Sequence, residues 1–503
     1  YAGLMEMIFP VVLGLFLFYR PRIGNTSIIR GIAEIFNQEK ANIHILIGTS
    51  ALLILISIFV SLSRGAMIST CLSLVVFTCF LMQRKISRGN STMLIAVIIL
   101  AVLCIGWFGW DQIFERFARL KNAQGVIYEY RLDFWKDTIN IIRDYGLTGS
   151  GFGTYSSIYP LYATISSQLL LTHAHNDYLE LLAEGGMIGF SLVAAFFISF
   201  FYKTHTVFTR RRDAFCIYLY IGCISAISAI LFHSFTDFNL HIGANGLWFF
   251  FLAGTAVCAA NTGVHGKEIQ TRLPKISSFP RKMTGTMIAL GFVLLVSLYN
   301  FSNLMGILYY STVDDHAIST DTPLTDLEKI DRISALASRF DPLTASYVFK
   351  SANAAWFSGD IETAKDLFCQ AIRRDPLNAR YLNRLAMFHD QSEQWAKTRL
   401  AFQAATLYDR TSPEYAFQFG TWLLAQKEME AGLDQLKKAL KLDESYFSKA
   451  MTAMVVAGVS TSDMENTIPD LPGPAIEYAH FLAQTGDLST AISNYMAALD
   501  TID

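Results

Sequence analysis

Long apolar runs broken by short polar connections fill residues 1–309, and beyond them the pattern changes to helix-spaced apolar positions among charged ones. At about 20 residues per membrane crossing, eight runs are predicted to span: 1–19, 43–62, 66–82, 92–109, 186–202, 214–234, 243–261 and 285–308. All eight are expected to be helices, because lipid offers the backbone no hydrogen-bond partner. The first run, "YAGLMEMIFPVVLGLFLFY", starts without Met and reads as the middle of a span, so further helices are expected upstream.

The connections alternate in character. Arg20, Arg22, Arg30 and Lys40, then Arg84, Lys85 and Arg88, then Lys203 with Arg210, Arg211 and Arg212, and last Lys267, Arg272, Lys275, Arg281 and Lys282 make every second connection basic. The positive-inside rule assigns those four to the cytoplasm. The turn "SLSRGA", the long loop 110–185, the turn "DFNLHIG" and everything after about 309 then fall on the opposite side.

The region 310–503 carries a repeat. In "DPLTASYVFKSANAAWFSGDIETAKDLFCQAIRRDP", Pro342 and Pro376 stand 34 residues apart, the period of a tetratricopeptide helical hairpin. Ala355, Gly359, Ala364, Phe368 and Ala371 alternate small with large residues, as two nested antiparallel helices require, and less regular copies follow to the end of the chain. Such stacks build concave docking surfaces.

Composition supports this division. The 503 residues are 52% hydrophobic and 16% charged, against about 25% charged in soluble domains. Net charge is +8 over residues 1–309 and −10 over 310–503, so the two regions meet different surroundings. Six of seven cysteines lie in apolar segments, which leaves no disulfide framework and no cysteine-based metal site.

Chemistry concentrates in "THAHNDYLELLAEGGMIGF", residues 172–190. Asp177, with Glu180 three residues on, has the pattern of a capping box, so a helix is expected to start there. Asn176, Asp177, Glu180 and Glu184, with His173 if the helix starts early, share one polar face, while His175 projects to the other side. An imidazole near pKa ~6.5 beside a helix N-terminus suits a general base; the plainer alternative is a histidine that hydrogen-bonds at the membrane surface. The His173–His175 spacing suggests metal, yet no third ligand stands nearby in sequence, and no metal is expected.

Upstream, "YRLDFWKDTINIIRDYGLTGSGFGTY" predicts an amphipathic helix that buries Leu132, Trp135, Ile139 and Ile142 and can lie along a bilayer surface. Gly149, Gly151 and Gly153 follow; they mark a tight turn or offer N–H groups to an anion. Arg131 at the helix start and Arg64 in "SLSRGAM" fall on the same predicted side as His175. Two guanidinium groups suit a diphosphate at the membrane face, and a snorkelling Arg64 is the structural alternative. His233, Asp237, Asn239 and His241 cluster at another helix end on that side. Asp314 and Asp315 read as a solvated linker, and Glu6 is a charge nominally inside a span.

Taken in order, "SRGA", "RLDFW" with "GLTGSGFGTY", and "HAHNDYLELLAEGGMIGF" resemble the O-antigen ligase and Wzy polymerase superfamily of envelope glycosyltransferases over roughly residues 1–260. The combination is specific where each piece alone is not. "HSFTDFNLHIGAN" followed by tetratricopeptide repeats is similar to one branch of that superfamily. The resemblance implies transfer of a glycan from undecaprenyl diphosphate to a hydroxyl on a lipid, glycan or protein acceptor, at the extracytoplasmic face, without metal, nucleotide sugar or cofactor. Carried over, Arg64 and Arg131 bind the diphosphate and His175 is the base or positions the acceptor. Glu180 and Glu184 orient His175, and His173 and Asn176 complete the substrate-binding set.

The expected architecture is all-α: a polytopic transmembrane bundle over 1–309 with an extracytoplasmic catalytic loop at 110–185, then a soluble tetratricopeptide-like α-solenoid over 310–503. The expected place is the bacterial inner membrane with the C-terminal domain in the periplasm, where it meets an envelope assembly protein; no nucleic-acid partner is expected. Two rivals remain. A membrane-tethered repeat scaffold of a polysaccharide export complex leaves eight spans in excess of what anchoring needs. A transporter wants midplane charges or paired broken helices, whereas here charge gathers at one membrane face.

Overall fold

The computed structural model describes residues 1–20, 39–84, 130–165, 171–261, 279–313 and 318–500, and every regular element among them is helical. The chain forms two compact units, residues 1–156 with 171–269, and residues 157–170 with 270–503. The span expected at 92–109, the pair Asp314 and Asp315, and most of the basic connections lie outside the described residues.

Six described helices are long and apolar enough to cross a membrane: Asn42–Val60, Arg64–Gln83, Asp177–Phe208, Ala214–His233, Gly243–Asn261 and Leu290–Ser311. Ala2–Phe18 is apolar but shorter. Six such helices in one chain support a multi-pass membrane protein. Ala214–His233 is the hub of the first unit and packs against Ala2–Phe18, Arg64–Gln83 and Gly243–Asn261. Its crossing with Ala2–Phe18 is close because both helices place glycine there. A Cβ on Gly14 would lie 2.6 Å from the Tyr218 carbonyl oxygen, and one on Gly222 would lie 2.9 Å from that of Pro10. Lipid supplies no hydrophobic drive between helices, so such small-residue contacts carry the packing.

The helix Asp177–Phe208 is broken at Gly186, whose φ of 59° and ψ of −170° no helix contains. The break frees backbone groups that the glycine-rich loop then takes up. Ser150 and Gly151 donate their N–H groups to the carbonyls of Ala183 and Glu184, and Met187 and Ile188 donate to Gly146 and Leu147. Gly149, at φ 75°, is required here, since a Cβ on it would lie 2.0 Å from the Glu184 carbonyl oxygen. The N–H groups of residues 149–151 are therefore engaged inside the protein, which corrects their reading as an anion cradle: the glycines serve a backbone-to-backbone clasp.

The predicted burial of the helix Tyr130–Asp144 is also corrected. Ile141, Asp137 and Thr138 are buried, whereas Leu132 and Ile139 face outward. Thr138 shares a 2.7 Å hydrogen bond with the Tyr155 hydroxyl, and that buried polar pair sets which side of the helix turns inward.

In the second unit, helical hairpins stack into a solenoid from Leu324 to Asp500. Asp341, Asp375, Asp409 and Asp443 each follow a helix, and each donates its N–H to the carbonyl of an alanine four residues back: Ala337, Ala371, Ala405 and Ala439. All four alanines are fully buried. The 34-residue period runs unbroken through this set, because only a small side chain fits where consecutive helices touch. The apolar helix Phe279–Ser311 packs on the first solenoid helix, with the Ser302 hydroxyl donating to the Phe340 carbonyl at 2.6 Å.

Candidate functional site

Three chain segments of the first unit meet at one end of its helices: the turn before Arg64–Gln83, the loop 171–176 ahead of Asp177–Phe208, and the stretch 233–241 after Ala214–His233. Asp177 ties two of them. Its N–H donates to the Ser234 carbonyl at 2.9 Å, and its carboxylate accepts from the Ser234 hydroxyl at 2.6 Å and the Leu240 N–H at 3.2 Å. Its Oδ1 also pairs with His241 Nδ1 at 2.8 Å. The N-cap is consequently Asn176, not Asp177: its Oδ1 accepts from the N–H groups of Tyr178 and Leu179, both at 3.1 Å. Asn176 is buried in that role, so its expected place in the substrate-binding set gives way to a capping one. An asparagine cap leaves the aspartate free to bind across the fold.

His175 has φ of 51°, a left-handed conformation rare outside glycine. In an extended strand His173 and His175 would share one side; the left-handed residue separates them. His173 Nδ1 pairs with Glu180 Oε1 at 2.8 Å, and its ring stacks on Phe238 at 4.5 Å. His175 Nδ1 meets Asp237 Oδ1 at 3.2 Å. The loop between them is held by Trp135, whose indole N–H donates to the Ala174 carbonyl at 3.1 Å. The amphipathic helix thereby positions both histidines.

The expectation that Glu180 and Glu184 orient His175 is corrected. Glu180 accepts from the Ala174 N–H at 2.9 Å besides holding His173, and Glu184 accepts from the Tyr155 N–H at 2.9 Å. Both lie on the buried side of the helix, one and two turns below the loop, and Asp237 takes the orienting place instead. Asp237 keeps its charge: burial acts to raise its pKa, but the hydrogen bonds from His175 and the Phe238 N–H, with the charges of Arg131 and His233, hold it below the usual carboxylate range. An ionised Asp237 favours the proton on His175 Nδ1 and leaves Nε2 as the basic nitrogen. At His241 the pKa moves up, chiefly through the hydrogen bond to Asp177, with burial opposing and the Glu180 and Glu184 charges assisting.

The two arginines flank the same stretch. Arg131 donates from Nη1 to the Thr236 carbonyl at 2.6 Å. Arg64 is the first residue of its helix, capped by Ser63, and Gly65 beside it lies flat on 233–236. A Cβ at Gly65 would come within 2.6 Å of the His233 ring and 2.7 Å of the Thr236 hydroxyl. Arg131 and His175 thus attach to residues 233–237, and Gly65, next to Arg64, abuts the same stretch.

Beneath this layer Glu6, a charge nominally inside a span, pairs with His233 of the 233–241 cluster. Glu6, fully buried, accepts a hydrogen bond from Ser69 and pairs with His233 Nδ1 at 3.0 Å. His233 Nε2 lies 4.0 Å from Asp237, so a chain of carboxylates and imidazoles runs from Glu6 to His175. The signal for it was a carboxylate inside an apolar helix, which calls for a buried partner.

A bundle of apolar helices topped by a histidine–carboxylate layer with two flanking arginines defines a membrane protein with a polar site at the ends of its helices. Residues 49–194 match the family described as O-antigen ligase. At this coarse level the match supports a membrane glycan ligase or polymerase. No curated protein matches the chain. Among solved structures, MamA is similar at 12% identity over 35% of this chain and 88% of its own, with a TM-score of 0.25. Yeast Tom70 is similar at 13% identity over 93% of this chain and 82% of its own, with a TM-score of 0.26.

Proposed function

We propose that the chain transfers a glycan from a polyprenyl diphosphate, of the undecaprenyl type, to an acceptor hydroxyl at the extracytoplasmic face of a bacterial inner membrane. The observation that carries the reading is the His175–Asp237 pair, held on the stretch that Arg131 grips and Gly65 abuts. His175 Nε2 accepts the acceptor hydroxyl proton as that oxygen attacks the anomeric carbon. The bond from that carbon to the diphosphate breaks, and the leaving diphosphate takes up charge beside Arg64 and Arg131. Guanidinium groups fixed before the reaction stabilise that charge without reorganising. A single in-line displacement inverts the anomeric centre. Asp237 acts by fixing the tautomer of His175, as the carboxylate of a catalytic triad does.

The solenoid, in the periplasm on this reading, docks an envelope assembly partner on the face where Lys350, Arg380 and Arg384 stand with Asn353, Asn383 and Gln418. Reconstitution in proteoliposomes with a lipid-linked oligosaccharide tests the reaction. A ladder of products identifies a polymerase and single additions a ligase. Full turnover by a folded His175→Ala variant would remove the proposed base.

A further inference from the structure

The sequence leaves His173 without companions for a metal, and the fold supplies them. His173, Glu180 and His241 each offer one ligand atom, and the three atoms lie within 4.8 Å of one another. Glu180 Oε1 is 2.8 Å from the His173 nitrogen and 3.3 Å from the His241 nitrogen. With metal–ligand bonds of about 2.0–2.1 Å, donors around a tetrahedral zinc stand about 3.3 Å apart. One edge therefore already has the required length, and another needs to open by about half an ångström.

The remaining atoms of these side chains are occupied as a metal ligand set requires. His241 uses Nδ1 on Asp177, which leaves Nε2 turned to Glu180. Glu180 spends Oε2 on the Ala174 N–H, so Oε1 is the oxygen presented. His173 is fixed from its face by Phe238. A carboxylate behind a histidine orients the ring and raises its basicity toward an ion. The two imidazole side chains are about one third exposed, at 29% and 34%, while Glu180 is buried. A fourth position thus opens toward solvent. His175 is not part of the set, since its Nδ1 goes to Asp237.

We propose that His173, Glu180 and His241 bind one divalent cation of the zinc class, with Asp177 as the positioning carboxylate and one coordination place open. Two nitrogens and one carboxylate oxygen are donors that suit zinc in preference to calcium or magnesium, which take oxygen sets. This site is separate from the transfer proposed above, in which His175 and the arginines act without a metal.

The test uses the full chain in detergent, stripped with a chelator and titrated with zinc against a competing fluorescent chelator. The parent is expected to take up one equivalent. His241→Ala and Glu180→Gln each weaken binding at least about 100-fold, and Asp177→Asn weakens it about 10- to 100-fold. His175→Ala binds zinc as the parent does while losing transfer, which keeps the two proposals apart. Zinc absorption spectra of the parent are expected to give a nitrogen and oxygen shell with imidazole scattering at about 2.0–2.1 Å. They decide the matter even if the variants misfold. A parent that binds no stoichiometric zinc, a sulfur shell, or parent-like affinity in His241→Ala overturns the site; in each case the transfer reading stands or falls on His175 alone.

Discussion

The end of the membrane unit and the solenoid are both helical, yet they are held together by different physics. In the solenoid, each contact is made by near neighbours in the chain: a buried alanine, a helix end and an aspartate recur at fixed spacing. At the site, contacts join distant segments through ionisable groups, with 62 residues between His175 and Asp237 and 227 between Glu6 and His233. Repetition makes the first region tolerant, because a defect in one repeat is felt mainly by the next. The second is an interlocked layer in which each group holds another in place.

That contrast can be broken by substitution, and the sharpest break is expected at His175. His175→Ala should lower transfer from a lipid-linked oligosaccharide by about 10²- to 10⁴-fold, the worth of a general base, with the melting temperature nearly unchanged because the ring is about one third exposed. A comparable loss in melting temperature would make His175 a structural residue. Next comes Gly149→Ala, which forces a Cβ against the Glu184 carbonyl at positive φ. The strain should cost about 1–3 kcal/mol, seen as a lowered melting temperature and reduced transfer together, since the clasp positions the helix that carries the site.

Ala405→Leu overpacks a solenoid position buried against its neighbours. It is expected to destabilise the repeats by a similar ~1–3 kcal/mol, measured by protease sensitivity of the C-terminal unit, while transfer per folded molecule stays at the parent rate. Equal losses of both would mean that the two regions are coupled.

The smallest effect concerns pH. Asp237 has a folded pKa below its unfolded value, so the stability it contributes is present above the unfolded pKa of about 3.9 and is lost as pH falls through the folded value. Parent and Asp237→Asn should therefore differ in thermal stability near neutrality, by on the order of 1 kcal/mol or less for a half-buried pair, and converge at strongly acid pH. A difference that persists there would assign the effect to packing.

How much of this was legible in the sequence follows from the same contrast. Spans and solenoid announce themselves because lipid thickness and hairpin packing impose a fixed length on consecutive residues. Described helices fall at seven of the eight expected runs, and the eighth lies outside the described residues. Pro342 and Pro376 mark the period once and the later copies read as less regular, whereas the Ala337, Ala371, Ala405 and Ala439 series keeps it at 34 residues throughout. At the site the polar segments could be named and assigned to one side, but not paired. The partner of His175 was sought among the carboxylates that follow it, Glu180 and Glu184, and lies instead in another segment, because a left-handed backbone at His175 turns the ring away from its own helix. Asp177 looked like a cap for a similar reason: nothing local distinguishes it from Asn176, and only the Ser234 and His241 contacts do.

The interruption at Gly186 has a mechanical consequence. Bilayers differ in thickness, and a span answers by leaning; a continuous rod would carry that lean straight into the histidine–carboxylate layer. Here the ladder is cut at Gly186, and residues 146–151 bind the turn before the cut and the first residues after it, so the elbow is fastened on both of its arms. A lean of the span is thus met by hydrogen bonds on either side of the elbow, before it reaches the polar layer.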